Sequence, residues 1–327
     1  MSLIIKTNFE NCLVFTHNDV DGVVAGYLIK HFFDNNLEND AWDRNVQVFC
    51  CDYNQTKYNL QWFKNTTSSF ISEVQQNDLD AKISVYMLDY SIQPNDLMIK
   101  FYNWINTLSN VKFFWLDHHI TAIQNLNHYN IPGLRDNSVC GAMNVWNFFK
   151  KNQEAPKFLK MISDFDTWNE KSEYSFDKEL LPLNYFIESF GTTLNDNTSD
   201  LVKTLNALIN DNNLLEKYIS TFGKRIYNFM NERYNKNISK IYNSKWMNYS
   251  CLVVNSLNIG SMEFECHPDY KNVDLLIRWN YDGNLYQYYV YTTHNDIDIG
   301  GLCEKYLNGG GHEMCGGGHL DKYIFEN

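Results

Sequence analysis

Short apolar runs and helical-period segments alternate along the first half of the chain. Asn11–His17 is an apolar run with the core CLVF. It leads into DGVVAGYLIKHFF (21–33), whose apolar residues recur at helical spacing. VQVFCC (46–51) predicts a second strand, 57–76 a weaker helix, and ISVYML (83–88) a third strand. NDLMIKFYNWINTL (95–108) predicts a helix with Asn95 as its N-cap. VKFFWL (111–116) is the fourth strand, and Gly133-Leu134-Arg135 is a candidate for a short fifth. Helices follow over 138–151, capped by Ser138, and over 155–168. Strand-helix alternation of this kind predicts an α/β domain built on a doubly wound parallel sheet.

The pattern changes after about residue 185. Residues 196–240 are polar, Asn-rich and helical in period, without a cluster of candidate ligands. Strand signals return at 249–256, 273–279 and 285–293, the last two joined by the turn YDGN (281–284). A short helix over DIGGLCEKYL and the ending GGGHEMCGGGHL (309–320) complete the chain. The predicted organisation is a catalytic domain over 1–185, a helical linker over 186–245 and a smaller α+β domain over 246–327.

Composition narrows the class. The 327 residues are 44% hydrophobic and 16% aromatic, as in a globular protein. No run of about 18 apolar residues occurs, and MSLIIKTNFE lacks a signal peptide's apolar core. The eight cysteines form no CxxC pair, which predicts reduced thiols and a cytoplasmic location. A net charge of −12 argues against a protein that coats long nucleic acid. A small phosphorylated substrate stays open, because bound divalent ions would invert the local sign.

The candidate chemistry sits where strands end. The fourth strand stops at Asp117-His118-His119, the first runs into His17, Asp19 and Asp21, and the third ends at Asp89. In a parallel sheet those ends share one edge, where ligands bind. His17, Asp19 and Asp21 are two apart, so an extended segment points them to one side. Packing has no use for these residues there. A calcium loop is excluded, because its first ligand would be His17 and its twelfth position holds Leu28 rather than Glu. Hard oxygen and imidazole donors suit Mn²⁺, Mg²⁺ or Zn²⁺, and three such strand ends predict a dinuclear site.

THNDVDG, YMLDYS and FWLDHH resemble the first three motifs of the DHH phosphoesterase family. NGGGHEMCGGGHL is similar to its C-terminal DHHA1 domain, and HxDxDG with Asp166-Thr167-Trp168 looks most like the nano-RNase branch. The resemblance implies a smaller domain that closes over the cleft. It also implies two divalent ions, Mn²⁺ first. His17 and Asp19 would hold one ion, and Asp21, His118 and a fourth-motif Asp (Asp166, or Asp164) the other. Asp89 would bridge them, His119 would face the scissile phosphate, and Asp117 would orient a histidine. Gly309, Gly310, Gly311 and His312 would bind substrate as an anion nest with a charged contact, together with Arg278. A zinc site from His312, Cys315, His319 and Cys303 is the competing reading of that loop. Tyr286, Tyr288, Tyr289 and Tyr291 could stack on bases or simply alternate between core and surface.

The implied activity is hydrolysis of short single-stranded oligonucleotides to mononucleotides. Alternatives are a cyclic-dinucleotide or pAp phosphohydrolase and an inactive nucleotide-binding sensor. No membrane or long-duplex partner is expected.

Overall fold

A computed structural model describes residues 11–34, 45–53, 58–151, 153–235, 240–256, 261–264 and 267–325. The chain divides into two compact units. One comprises the described residues of Met1–His118 and Leu126–Tyr227; the other comprises His119–Asn125 and those of Asn228–Asn327.

The first unit is built on β1 (Asn11–His17), β2 (Val46–Cys51), β3 (Ile83–Leu88) and β4 (Val111–Leu116). They form a sheet in the order β2-β1-β3-β4, with every pair parallel. Apolar runs without polar alternation belong in such a sheet, because helices cover both faces. Cys12, Val14, Tyr86 and Leu88 face a core shared with α1 (Val20–Asp34). Phe15 faces the other way and meets Phe63 of α2 (Leu60–Gln75) and Phe101 of α3 (Asn95–Ile105), ring edge to ring face. After β4 come α4 (Ile120–Leu126), α5 (Gly141–Phe149) and α6 (Lys157–Asp166). The order reverses between β1 and β3, which makes the crevice beyond those strands the switch point of the sheet.

Then come α7 (Leu181–Glu188), α8 (Asp200–Asn210), α9 (Asn212–Tyr218) and α10 (Lys224–Asn235). The sequence reading treats 186–245 as a linker. In the structure Leu201, Leu205, Leu208 and Leu215 are buried in the core that α1, α5 and α6 share. Their leucines at helical spacing make α8 and α9 part of the first unit's packing.

Three local expectations are corrected. Asn95 is the first residue of α3; the cap position is Pro94, with no side-chain cap bond. Ser138 bonds Asp136 instead, and α5 is capped by Cys140, whose sulfur accepts the Met143 N–H at 3.4 Å. Gly133-Leu134-Arg135 forms a single bridge, Asp117 to Arg135, rather than a strand.

The second unit holds β5 (Tyr242–Trp246), β6 (Tyr249–Asn255), α11 (Ser261–Phe264), β7 (Leu275–Tyr281) and β8 (Tyr286–Tyr291). It ends with α12 (Ile299–Leu307), β9 (Gly310–Gly311) and β10 (Cys315–Leu320). Its sheet is mixed, in the order β5-β6-β7-β8-β10-β9, with β6 and β7 parallel. Ile299, Cys303 and Leu307 of α12 pack on Ile277, Tyr288 and Val290, while Phe264 covers Leu252, Val254 and Leu276 on the opposite face. At Asp282 the turn between β7 and β8 closes as predicted, its carboxylate accepting the Asn284 and Leu285 N–H groups.

The glycines at 309–318 belong to this sheet. Gly310 and Gly311 pair with Gly317 and Gly316. A side chain at Gly309 would land on the Gly317 carbonyl, and one at Gly318 on the Leu307 carbonyl beneath α12. Close passage of backbone on backbone is what the missing Cβ allows here.

Candidate metal centre

Register places the site. Thr16 pairs with Leu88, and Leu88 pairs with Leu116, so β1, β3 and β4 end on one level. The next residues, His17, Asp89 and Asp117, therefore emerge together past the ladder. Asp89 sits at φ 49° with its N–H bonded to the Leu116 carbonyl at 2.8 Å. A non-glycine residue in the left-handed region stores strain, and such strain clusters at functional positions.

From β1 the chain turns at once into α1. His17 Nδ1 lies 2.6 Å from Asp19 Oδ2, and Asp19 Oδ1 accepts the Gly22 N–H at 2.8 Å. Asp21, in the first turn of α1, points inward and is buried. Both its oxygens are engaged at the start of α5, by the Gly141 N–H at 2.6 Å and the Ala142 N–H at 2.8 Å. His118 is buried too, with Nε2 at 3.0 Å from Asp89, 3.5 Å from Asp166 and 3.7 Å from Asp21.

These side chains form two donor groups with a common member. His17, Asp19 and Asp89 present atoms within 4.8 Å of one another, and so do Asp21, Asp89 and His118. Asp166 joins the second group through His118. Asp164, the alternative, faces away: its oxygens accept from Asn169 at 2.7 Å and Ser172 at 2.5 Å. The geometry favours Asp166.

The electrostatics fit a cation. Burial pushes the Asp21 carboxyl up to about 6, with Asp166 and Asp19 adding to the rise and His118 and the Cys140 thiol opposing it. Burial also drives Asp89 well above the carboxylate range, reinforced by Asp21, Asp19, Asp166 and Asp117. Carboxylates crowded out of water are costly unless positive charge offsets them. Oxygen and imidazole donors match hard or borderline divalent ions.

Asp117 is buried behind this cluster. It accepts from the Trp115 indole N–H at 3.1 Å and from the His118 backbone N–H at 2.8 Å. Arg135 holds the same turn, donating to the Trp115 and Ile131 carbonyls with its guanidinium over the Trp115 ring. Tyr53 and Tyr90 stack at 4.4 Å, and Tyr53 lies 5.2 Å from the His17 ring. Sequence reasoning missed Tyr53, Tyr90 and Gly141. Tyr53 and Gly141 meet partners distant in sequence, and Tyr90, inside YMLDYS, stacks on Tyr53. A cleft of about 250 Å³ opens beside the cluster, bounded by Asn18, Asp19, Asp166, Phe165, Asn184 and Glu188.

His119, His312 and Arg278 belong to the second unit. The His119 and His312 rings stack at 5.0 Å with 23° between planes. Arg278 lies flat over Tyr289, its guanidinium carbon 3.6 Å from the ring centre. In the glycine run, the Gly309 and His312 N–H groups bond the Cys303 and Cys315 carbonyls, and Gly311 N–H reaches Thr121 Oγ1. Those amides serve the turn. The zinc reading gains no support, since among the described residues no metal-competent group joins His312 to Cys303, Cys315 and His319. Of the tyrosines, Tyr288 is buried, and Tyr291 is half-buried against the Leu252–Phe264 core.

No family model matches the chain. No curated protein matches it either. Among solved structures, the DHH domain of a member of the s1p family of ribosomal proteins is similar. Its TM-score is 0.56 at 14% identity, over 95% of this chain and 83% of that one. An exopolyphosphatase-related protein from Bacteroides fragilis has a TM-score of 0.45 at 14% identity, over 96% and 88% of the two chains. RecJ from Thermus thermophilus, in complex with Mn²⁺, has 0.45 at 13%, over 95% and 49%. The likeness with a TM-score of 0.56, together with the parallel sheet whose strand ends carry THNDVDG, YMLDYS and FWLDHH, gives this chain the fold of a DHH-domain protein.

Proposed function

We propose that the protein is a divalent-metal-dependent phosphodiesterase that hydrolyses short single-stranded oligonucleotides to mononucleotides. The observation that carries this reading is the sharing of Asp89 between two donor groups, His17/Asp19/Asp89 and Asp21/Asp89/His118. A carboxylate common to two such groups is what a pair of ions needs to be held about 3.5–4 Å apart.

Two ions, Mn²⁺ or Mg²⁺, would supply a nucleophile usable at neutral pH and positive charge at the phosphoryl oxygens. The chain's own groups do the rest. His17 and Asp19 would hold one ion and Asp21, His118 and Asp166 the other, with Asp89 available to both. Asp117 anchors the turn that aims His118, through the His118 N–H. His119 is assigned to the scissile phosphate, where an imidazolium would stabilise charge. His312 and Arg278 are assigned to the remaining phosphate and sugar groups, as charge-assisted donors. The chain's net charge of −12 supports a preference for short substrates, since a long strand needs a basic track.

The test is a panel of substrates with Mn²⁺: a dinucleotide, longer oligonucleotides, a cyclic dinucleotide, pAp and pyrophosphate. Linear dinucleotides and trinucleotides should turn over fastest. A preference for the cyclic dinucleotide or pAp would replace the substrate assignment. Mn²⁺ binding without turnover of any of them would leave a nucleotide sensor as the reading.

A further inference from the structure

We propose that the start of α5 is a positioning element for the carboxylate cluster, with Gly141 as its key residue. The inference rests on the two-ion reading above and concerns how the chain holds Asp21 and Asp89 close enough to share a cation.

Asp21 reaches the cluster from the first turn of α1 and Asp89 from the end of β3, and both are buried. Left to themselves, the two like charges would separate. Two features of α5 oppose that. Its first two amides, Gly141 and Ala142, donate to the two oxygens of Asp21 at 2.6 and 2.8 Å. A nine-residue helix brings partial positive charge to that end, so the carboxylate is partly offset without using a side chain. Beyond these bonds and that of the Cys140 thiol, the carboxylate retains lone-pair capacity for a cation.

The other feature is space. A Cβ at position 141 would stand 2.5 Å from the Asp89 Cβ and 2.9 Å from Asp21 Oδ2. Real carbon contacts do not reach those values, so any side chain at 141 must push Asp89, Asp21 or the helix aside. Gly141 thus sits as a spacer of zero width between two ligands. Its backbone φ is not positive, so conformational freedom is not what calls for glycine. Ordinary helix packing does not call for it either, because the atoms it meets are the carboxylate side chains themselves.

Gly141 does not touch substrate. It acts through Asp21 and Asp89, and its effect should be read in ion binding. The experiment is Mn²⁺ titration calorimetry on metal-stripped full-length protein, for wild type, Gly141→Ala and Asn147→Gly. Asn147 lies exposed on the same helix, so its glycine variant weakens α5 without approaching the cluster. Wild type should bind two ions. Gly141→Ala should weaken at least one of them by about tenfold to a hundredfold, the range seen when a ligand's support is lost. Asn147→Gly should bind like wild type. Should Gly141→Ala fail to fold without metal, Ala142→Pro serves instead. It deletes one donor to Asp21, and the first helical turn tolerates proline.

Wild-type affinity in Gly141→Ala, or in Ala142→Pro where that is used, would overturn the proposal. So would equal weakening in Asn147→Gly, which would reduce the effect to helix stability. Failure of the wild type to bind Mn²⁺ would instead overturn the two-ion reading beneath it.

Discussion

In the parallel sheet, β1, β3 and β4 stop on one level, and His17 at the end of β1 with Asp89 and Asp117 just past β3 and β4 carry the proposed chemistry. In the mixed sheet the chemistry-bearing segment is folded into the ladder itself. Gly310, Gly311, Gly316 and Gly317 are strand residues, and the turn amides of Gly309 and His312 are used by backbone carbonyls. Both regions look similar in sequence, since each joins small or apolar runs to histidines. They differ in what the backbone leaves free. At the strand ends the side chains converge on one another, and burial concentrates their charge. In the glycine run the backbone is committed to the ladder and its turn, and His312 is the side chain there to which a substrate contact is proposed.

The largest effect should come from the shared ligand. Asp89→Asn keeps shape and removes the charge common to both donor groups. Loss of several kcal/mol of charge stabilisation predicts a fall in turnover of about a thousandfold. Calorimetry should show both ions weakened. Normal turnover with normal metal content in this variant would remove the dinuclear assignment, and with it the functional contrast between the sheets.

Next is His312→Ala. A lost charge-assisted contact costs roughly 1.5–3 kcal/mol, or about tenfold to a hundredfold. The loss should appear in kcat/KM for dinucleotides and be nearly absent for a generic small phosphodiester. Equal loss on both substrates would make His312 part of the hydrolytic centre or of the fold.

How much of this was legible in the sequence follows the same contrast. The four parallel strands were, because a strand buried on both faces is an unbroken apolar run. The proposed ligands His17, Asp19, Asp21, Asp89 and His118 stood out in the sequence because nothing apolar packing needs explains them there. Gly141 was not, since its purpose lies in Asp21 and Asp89, 120 and 52 positions away in the chain. Asp164 and Asp166 could not be separated by pattern. They lie about 200° apart around α6, and only the packing shows which side faces the cluster. The glycine run was ambiguous for a related reason. Glycine permits a phosphate nest and close strand passage equally, and the choice depends on α12 and β8 lying beneath it.

Gly318→Ala tests that last point. Its Cβ would land on the Leu307 carbonyl and 2.7 Å from the Leu307 Cβ. Overpacking of this kind costs about 1–3 kcal/mol. Hydrogen exchange should rise in α12 and β10, while Mn²⁺ binding at the strand ends stays as in wild type. Unchanged exchange with selective loss of substrate affinity would return the glycines to the binding role.

The smallest effect concerns pH. Burial and neighbouring carboxylates raise Asp21 to about 6 and raise Asp89 as well. A carboxyl raised in the folded state keeps its proton where the unfolded chain has released its own. Its contribution to stability is full below the unfolded value of about 4 and is lost as pH rises through the folded value. Metal-stripped protein should therefore melt lower at pH 7 than at pH 5, by a few degrees for a contribution on the order of 1 kcal/mol. The depressed carboxyls Asp274 and Asp282 have the opposite sign and act below this window. Mn²⁺ should reverse the trend, because it binds the ionised forms and protons compete with it. Asp21→Asn should flatten the metal-free profile. A slope unchanged both in that variant and in Asp89→Asn would place the pH-sensitive charge outside the strand-end cluster. The contrast between the two sheets would then rest on geometry alone.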